Sequence, residues 1–274
     1  MKRRALIIGN MGIRQSSQSR YIEGVEEDLV NFYRFIRSDN GGAWNTDEII
    51  LCKPNKINRT QLLDIIKKEG EKGEVHYWLI FFSGHGWADH KTKESYLEVC
   101  PREKGDCDVS LAELVGAVGS ARLLLITDAC RAVPIMESGG KLPTVKCFSD
   151  SVKVETDYRR ACRNEYNNKI SIIPPNTVYI GYSCAFGETS SDSGIYGGEY
   201  IHAIIDSAKE CIKYEKNKNA GEPRFTIYSY PFVHTIARQT VLKKTFGKQT
   251  PVYTGPKTWQ PPFCVIPLVV SRKE

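Results

Sequence analysis

The sequence contains no Cys-x-x-Cys pair, although it has nine cysteines among its 274 residues. Zinc knuckles and thioredoxin-like redox motifs depend on that spacing, so neither class is indicated. No apolar run approaches the roughly 18 residues of a membrane-spanning helix. The apolar run near the start covers only residues 5–8, which is too short for the core of a secretory signal peptide.

Strong charge bias is also missing. The formal net charge is +6, and the basic residues are scattered, with no block of five or more Lys or Arg. This distribution gives no electrostatic footprint for nucleic acid, and we expect neither nucleic acid nor a membrane as a direct partner. Several cysteines lie in apolar runs, where they act as small hydrophobic residues. With no secretory leader, this usage predicts a protein of the reducing cytoplasm.

Short apolar runs alternate with helical patterns in the first half of the chain. In chain order we predict strands at residues 5–9, 47–52, 76–82 and 121–127, and helices at 24–38, 58–72 and 110–118. This β-α-β rhythm predicts an α/β fold with a mostly parallel sheet and helices on both faces. In such sheets, functional sites form at the carboxyl ends of the strands.

Residues 133–175 interrupt this rhythm with a mixture of Gly, Pro, Ser, Lys and Arg that has little periodicity. A loop of that length inside a domain is uncommon unless it is functional or mobile. Beyond it we predict strands at 176–182 and 263–270 and helices at 198–212 and 232–246. We therefore expect one domain over residues 1–274, built from two segments that the loop joins.

Two reactive side chains follow the third and fourth predicted strands. His85 lies in SGHG (83–86) and Cys130 in DACR (128–131). If these strands are neighbours, imidazole and thiol emerge at the same edge, where the imidazole can serve as the base that a thiol nucleophile needs. The amide of Gly86 is a candidate oxyanion donor, together with the amide of Cys130, because glycine lets backbone approach a substrate closely.

Each of these residues alone has an ordinary structural interpretation. One cysteine among nine is more often buried and inert, and a histidine between glycines is often only a loop residue. The two together, at matched strand ends, favour a catalytic pair.

The two motifs resemble those of the caspase and metacaspase superfamily. Cys130 follows His85 by 45 residues (130 − 85), close to the roughly 50 found in caspases. The similarity covers nearly the whole chain and includes residues 4–10, 24–32, 176–192 and 197–212. It implies a caspase-like three-layer sandwich with a central, mostly parallel six-stranded sheet. By this resemblance, 1–132 is the large-subunit-like segment, 133–175 a processing linker and 176–274 the small-subunit-like segment.

The resemblance implies a cysteine endopeptidase of the C14 family, with Cys130 as nucleophile and His85 as its proton-transfer partner. The family needs no metal or cofactor for its chemistry, and we expect none. Asp89, Asp106 and Asp108 do not match the acidic calcium site of type I metacaspases. As a short one-domain member of the superfamily, the chain resembles prokaryotic caspase-like proteins, some of which act in defence or cell-death systems, and by this resemblance a role as a defence or cell-death effector is one expectation.

The residue two positions before the cysteine separates the subfamilies. Caspases, which cut after aspartate, usually have Gln there, whereas metacaspases, which cut after Arg or Lys, usually have Asp. By resemblance, Asp28, Ser83 and Asp128 line the pocket for a basic side chain. Two carboxylates favour a guanidinium and repel an aspartate substrate. The alternative is that Asp28 caps a helix and Asp128 orients a loop. Arg20, as a reader of aspartate, is two residues from the caspase position.

The long loop is a natural self-substrate for an enzyme that cuts after basic residues. Its basic residues are Lys141, Lys146, Lys153, Arg159, Arg160, Arg163 and Lys169. We predict self-cleavage between 146 and 163, and the alternative is that the loop is only a lid. We expect no prodomain before residue 5. We therefore expect activity to be controlled by self-processing, an activating partner protein or a separately encoded sensor. The expected substrates are proteins or peptides.

Two other function classes compete with a peptidase. One is a caspase-fold scaffold or regulatory protein with little or no activity, against which the presence of both catalytic residues argues. The other is a nucleotide-binding α/β protein. The GNMG segment (9–12) after the first strand is neither G-x-G-x-x-G nor a Walker loop, so the sequence disfavours that class.

Overall fold

A computed structural model describes residues 1–14, 20–132, 157–192, 194–216 and 224–268. The strands are β1 (Arg3–Asn10), β2 (Ile49–Leu51), β3 (Tyr77–Gly84), β4 (Gly86–Ala88), β5 (Ser95–Glu98), β6 (Asp108–Ser110), β7 (Arg122–Ala129), β8 (Val178–Tyr182), β9 (Arg224–Ser229), β10 (Val252–Thr254) and β11 (Pro262–Leu268). The α-helices are α1 (Val25–Arg37), α2 (Arg59–Glu71), α3 (Leu111–Val118), α4 (Asp157–Ser171), α5 (Glu199–Lys216) and α6 (Tyr230–Lys244). Short 3₁₀ turns lie at Thr46–Glu48, Arg102–Lys104 and Gly194–Tyr196.

Six strands form the central sheet in the order β10-β8-β7-β3-β1-β2. All neighbours pair in parallel except β10, which is antiparallel to β8. The expected α/β fold, with a mostly parallel six-stranded sheet, is confirmed.

The period-two alternation of side chains along β1 shows why helices cover both faces. Ala5 and Ile7 belong to one core with α1, α4, α5 and α6, whereas Leu6 and Ile8 belong to the other with α2 and α3. β3 is buried along its whole length, as strands covered on both faces are. The continuous apolar run of the sequence is therefore explained by this three-layer arrangement.

The helix starts follow local capping chemistry. The Asn58 side chain accepts from Gln61 N at the start of α2, and the Ser110 side chain accepts from Glu113 N at the start of α3. In both cases the third helical residue bonds back to the cap, which satisfies two otherwise unpaired backbone donors.

The region predicted as one long loop contains a helix. Asp157–Ser171 forms α4, and its buried residues Cys162, Tyr166 and Ile170 recur every four positions. That spacing is helical, but the helix is rich in polar residues, which hides the pattern. Residues 133–156 lie outside the described part of the chain.

The carboxyl-terminal strands also differ from expectation. The predicted strand at 263–270 exists as β11, but it pairs with β9 in a separate two-stranded sheet and packs against α4 and α5. The sixth strand of the central sheet is instead β10, only three residues long, which the sequence pattern does not reveal. β4, β5 and β6 form a third, antiparallel sheet directly after His85.

Candidate active site

The register of β3 and β7 brings the two sequence motifs together. The strands are parallel neighbours, with Ser83 opposite Asp128 and Gly84 opposite Ala129. His85 and Cys130 are the residues that directly follow these two strands, and paired strands lie about 4.8 Å apart. Both therefore leave the sheet at the same edge.

A backbone carbonyl orients the imidazole. His85 Nε2 donates to the carbonyl oxygen of Arg20 in the segment before α1. Because a carbonyl only accepts, this contact places the proton on Nε2 and leaves Nδ1 as the basic nitrogen. Burial lowers the pKa of His85 below its usual value, so the ring is neutral at pH 7.

The thiol of Cys130 contacts the loop after β8. Ser190 N–H donates to Cys130 Sγ over 3.3 Å. Burial raises the pKa of the thiol, while this N–H acts in the opposite direction. Thiol and imidazole share no hydrogen bond in the described part of the chain, and burial shifts the pKa of each group toward its neutral form.

Two glycines beside the histidine are required by close contacts. Gly84 has φ +148°, and a Cβ there would lie 2.9 Å from Asn10 N. A Cβ on Gly86 would lie 2.9 Å from the carbonyl oxygen of Cys130. The backbone of Gly86 thus lies against the nucleophile segment, where the oxyanion hole is predicted.

One cavity joins the predicted pocket residues to the thiol. It has a volume of about 40 Å³ and is lined by Ile22, Asp28, Ser83, Gly84, Asp128, Cys130, Ser190, Ser191, Asp192 and Gly198. That volume suits a few water molecules or a small cationic head group, not a large ligand.

Asp28 and Asp128 are the buried acids of this cavity, with exposed fractions of 2% and 5%. Asp28 accepts from Ser83 Oγ (2.6 Å) and Gly198 N (2.9 Å). Asp128 accepts from Ser190 Oγ (2.5 Å) and Ile201 N (3.1 Å). Both carboxylates thus receive a backbone N–H from the start of α5, where the helix dipole favours negative charge.

The glycines before α5 permit this arrangement. A Cβ on Gly197, which has φ +88°, would overlap a carboxylate oxygen of Asp28, and a Cβ on Gly198 would overlap Asp128. Any larger residue would force the helix start away from the two acids.

The two acids have no cationic partner among the described residues. Burial, and then the neighbouring charge of Asp128, raise the pKa of Asp28 well above its usual value. Burial raises the pKa of Asp128 to about 6. The fold thus holds two carboxyl groups together without an internal positive charge, an arrangement that is costly until a cation arrives.

Several site residues were missed by sequence reasoning. Asp192 lies on the cavity wall, where its carboxylate accepts from Gly24 N (3.2 Å), and partial burial of that carboxylate raises its pKa. Ser190 contacts both the thiol and Asp128, and the Arg20 carbonyl holds the histidine. No local motif marks these positions, because loop packing alone brings them to the site.

The contacts bear on the alternatives for the acidic pocket. Asp28 does not cap its own helix, whose N-cap is Gly24, but it accepts from Gly198 N at the start of α5, and Asp128 accepts from Ser190 Oγ in the loop after β8. These contacts also fit the alternative that Asp28 caps a helix and Asp128 orients a loop. Arg20 is exposed, and Ile22 rather than Arg20 lines the cavity. The apolar Ile22 offers no charge to an aspartate substrate. Arg131 does not supply a charge for an aspartate substrate either. Its guanidinium lies 3.9 Å from the centre of the Tyr182 ring and donates to Ser95 Oγ.

Part of the predicted self-cleavage range lies in α4. Arg159 is buried and donates to the carbonyls of Arg37 and Trp44, while Arg163 binds Glu48 through both guanidinium nitrogens. A protease cannot extend these backbone positions without unfolding α4. Lys141, Lys146 and Lys153 lie outside the described residues.

In the described part of the chain, no three His, Cys, Asp or Glu side chains cluster in a way that would hold a metal ion. No helix within the same part is both long and apolar enough to cross a membrane.

Comparison with known proteins identifies the family. Residues 2–258 match the family model of the peptidase C14 caspase domain. No curated protein matches the chain. The match covers nearly all of the sequence and includes both strand-end motifs, the six-stranded sheet and the acidic cavity. The chain belongs to the caspase-domain family of cysteine peptidases.

Proposed function

We propose that this protein is a cysteine endopeptidase that cleaves peptide bonds after arginine or lysine. The observation that carries the specificity is the pair of buried acids, Asp28 and Asp128, which no cation balances within the described structure. A guanidinium or ammonium group from a substrate supplies that charge, whereas an aspartate side chain would bring further negative charge beside the two acids.

Catalysis in this proposal starts from a neutral pair. His85 Nδ1 takes the proton of the Cys130 thiol as sulfur attacks the substrate carbonyl carbon. The amides of Gly86 and Cys130 donate to the developing oxyanion. Nδ1 then gives its proton to the amine as the C–N bond breaks, which leaves a thioester on Cys130. Water hydrolyses the thioester and restores the thiol.

The position of Cys130 beside the cavity fits this chemistry. A basic side chain held by the acids brings the following carbonyl to the cavity mouth, where the thiol lines the wall. Positioning of this kind contributes a large part of the rate in acyl transfer.

A peptide panel tests the proposal. Four fluorogenic peptides differ only in the first residue, which is Arg, Lys, citrulline or Asp. We expect cleavage of the Arg and Lys peptides, weaker cleavage after citrulline and none after Asp. His85→Ala should lower kcat/KM by about 10²–10⁴-fold, and Cys130→Ala should abolish cleavage. Cys107→Ala, a change at a buried cysteine just before β6, serves as the control. Preference for Asp contradicts the pocket assignment, and no cleavage of any peptide favours the scaffold alternative.

We also propose that the chain cuts itself within residues 133–156, at Lys141, Lys146 or Lys153. The same specificity supports this step, because these lysines follow the nucleophile segment in the chain. A gel of purified wild type beside Cys130→Ala should show two fragments only for wild type. An uncut wild-type band under conditions of peptide cleavage would exclude self-processing.

A further inference from the structure

We propose that Gln249 is a positioning residue that holds the loop after β8 in the conformation needed for both catalysis and specificity. It is fully buried in the turn between α6 and β10 and lies outside the cavity lining. The inference rests on the proposed function and adds to it a residue that touches neither thiol nor pocket acid.

The side-chain amide of Gln249 is bonded on both sides to the loop. Nε2 donates to the Ser183 carbonyl (2.9 Å) and to Ser190 Oγ (3.2 Å), and Oε1 accepts from Ser191 N (2.9 Å). Two donors and one acceptor are thereby satisfied by a single segment. A buried amide with all these partners fixes the segment more firmly than solvent-exposed bonds would.

Ser190 carries the effect to the site. Its hydroxyl donates to Asp128, and its N–H donates to Cys130 Sγ. Gln249 is thus linked to the pocket acid and to the nucleophile through a single intervening residue, Ser190. Both Ser190 contacts favour the charged form of the group that receives them, and both depend on where the loop lies.

A second anchor keeps the loop folded when Gln249 is changed. Thr250 N donates to Glu188 Oε2 (2.6 Å), and the same oxygen accepts from Ala185 N (3.1 Å). These contacts use backbone donors, so a substitution at position 249 leaves them in place. We therefore expect Gln249 variants to fold.

Gln249→Met tests the proposal, because methionine has a similar length and no hydrogen-bonding amide. Gln260→Met is the matched control: Gln260 also makes two side-chain bonds, to Ser229 and Lys257, in another loop. The first readout is the ratio of kcat/KM for the Arg and citrulline peptides. We expect Gln249→Met to lower this ratio by about tenfold and Gln260→Met to leave it unchanged. A variant that was merely less stable would lose active enzyme without changing the ratio.

The second readout needs no peptidase activity. The pH dependence of iodoacetamide alkylation at Cys130, followed by peptide mass spectrometry, reports the thiol directly. We expect the midpoint to move to higher pH in Gln249→Met, since the Ser190 N–H no longer supports the thiolate. Ser190→Ala keeps that N–H and removes the hydroxyl, so it should change the ratio and not the midpoint.

The outcomes separate the two proposals. An unchanged ratio together with an unchanged midpoint overturns the role of Gln249. A wild type without preference for Arg overturns the proposed specificity, and the alkylation profile still decides whether Gln249 acts on the thiol. If Gln249→Met does not fold, Gln249→Leu replaces it, because leucine is a smaller apolar side chain that also removes all three bonds and adds no charge beside the pocket.

Discussion

Two of the regions that bury carboxylates in the described part of the chain do so in opposite ways. Near the amino end of β1, Glu48 receives both guanidinium nitrogens of Arg163 at 2.6 Å and also pairs with Arg3. At the carboxyl edge of the same sheet, Asp28 and Asp128 receive only serine hydroxyls and backbone N–H groups. The first region balances its charge within the fold, and the second does not.

The pKa shifts follow this difference. Burial alone would raise the pKa of Glu48, but Arg163 and Arg3 outweigh burial and hold it below the usual value. Burial without a cation raises the pKa of both Asp28 and Asp128. Burial alone does not distinguish the two regions: the paired acid joins α4 to the sheet, whereas the two acids of the cavity have no cation beside them among the described residues.

Removing the Glu48 carboxylate, which pairs with two arginines, should have the largest effect on stability and no effect on substrate specificity. Glu48→Ala leaves the buried guanidinium of Arg3 and the half-buried one of Arg163 without their carboxylate, and removing one partner of a buried pair costs about 3–5 kcal/mol. Urea unfolding measures the loss. Glu74→Ala, whose side chain is 78% exposed, is the control. An altered Arg-to-citrulline ratio in the folded Glu48 variant would contradict the separation of the two regions.

A change to one of the two acids without a cation should alter substrate specificity. Asp128→Asn removes the charge and keeps the side-chain shape, so the guanidinium of an Arg peptide loses a charged hydrogen-bond acceptor. We expect the loss of about 1.5–3 kcal/mol, which lowers kcat/KM for Arg by about tenfold to a hundredfold and leaves citrulline nearly unchanged. Asp89→Asn, in an exposed turn, should behave as wild type. Equal losses for both peptides would show that Asp128 has only a structural role.

The pH dependence of substrate preference is a further test of the acids that have no cation. The raised pKa of Asp128, about 6, means that its carboxyl is protonated below that pH and charged above it. A cationic substrate binds the charged form better. The ratio of kcat/KM for Arg to that for citrulline should therefore rise between about pH 5 and 7, by at most tenfold per pH unit. Titration of His85 and Cys130 affects both peptides equally, so its effect cancels in the ratio. A flat ratio would mean that the pocket acid does not titrate in this range.

The smallest expected effect is a gain in stability. A folded-state pKa above the unfolded value means that the folded protein binds more protons, so stability falls as the pH rises through the window between the two values. Asp28→Asn removes this loss and keeps the bonds to Ser83 and Gly198. We expect its melting temperature to exceed that of wild type by more at pH 8 than at pH 5, with a gain of about 1 kcal/mol at pH 8. Asp64→Asn, an exposed position on α2, is the control, and equal melting curves at both pH values would contradict the account.

Much of the architecture follows from sequence because it depends on local pattern. The apolar runs of β1, β3 and β7 and the Asn58 and Ser110 caps are visible without tertiary information. His85 and Cys130 follow directly, since parallel strands end at a shared edge. Asp28, Ser83 and Asp128 came from a resemblance rather than from pattern, and the structure places all three around one cavity.

The parts that sequence reasoning missed depend on distant packing. Gln249 and Ser190 are 59 residues apart in the chain, and nothing in either neighbourhood indicates that they meet. The carbonyl of Arg20 acts through backbone, which side-chain motifs cannot reveal. α4 was missed for a different reason: its spacing of Cys162, Tyr166 and Ile170 was readable, but charged residues between them resembled a loop.

The most direct test of the central claim is covalent labelling with peptidyl chloromethyl ketones. Two reagents that differ only in arginine or aspartate at the first position are incubated with wild type and with Asp28→Asn, and intact and peptide mass spectrometry locates the adduct. We expect the arginyl reagent to form a single adduct, located on Cys130. This adduct should form more slowly in Asp28→Asn than in wild type, and the aspartyl reagent should form none. Faster labelling by the aspartyl reagent, or an adduct on another residue, would contradict the central claim.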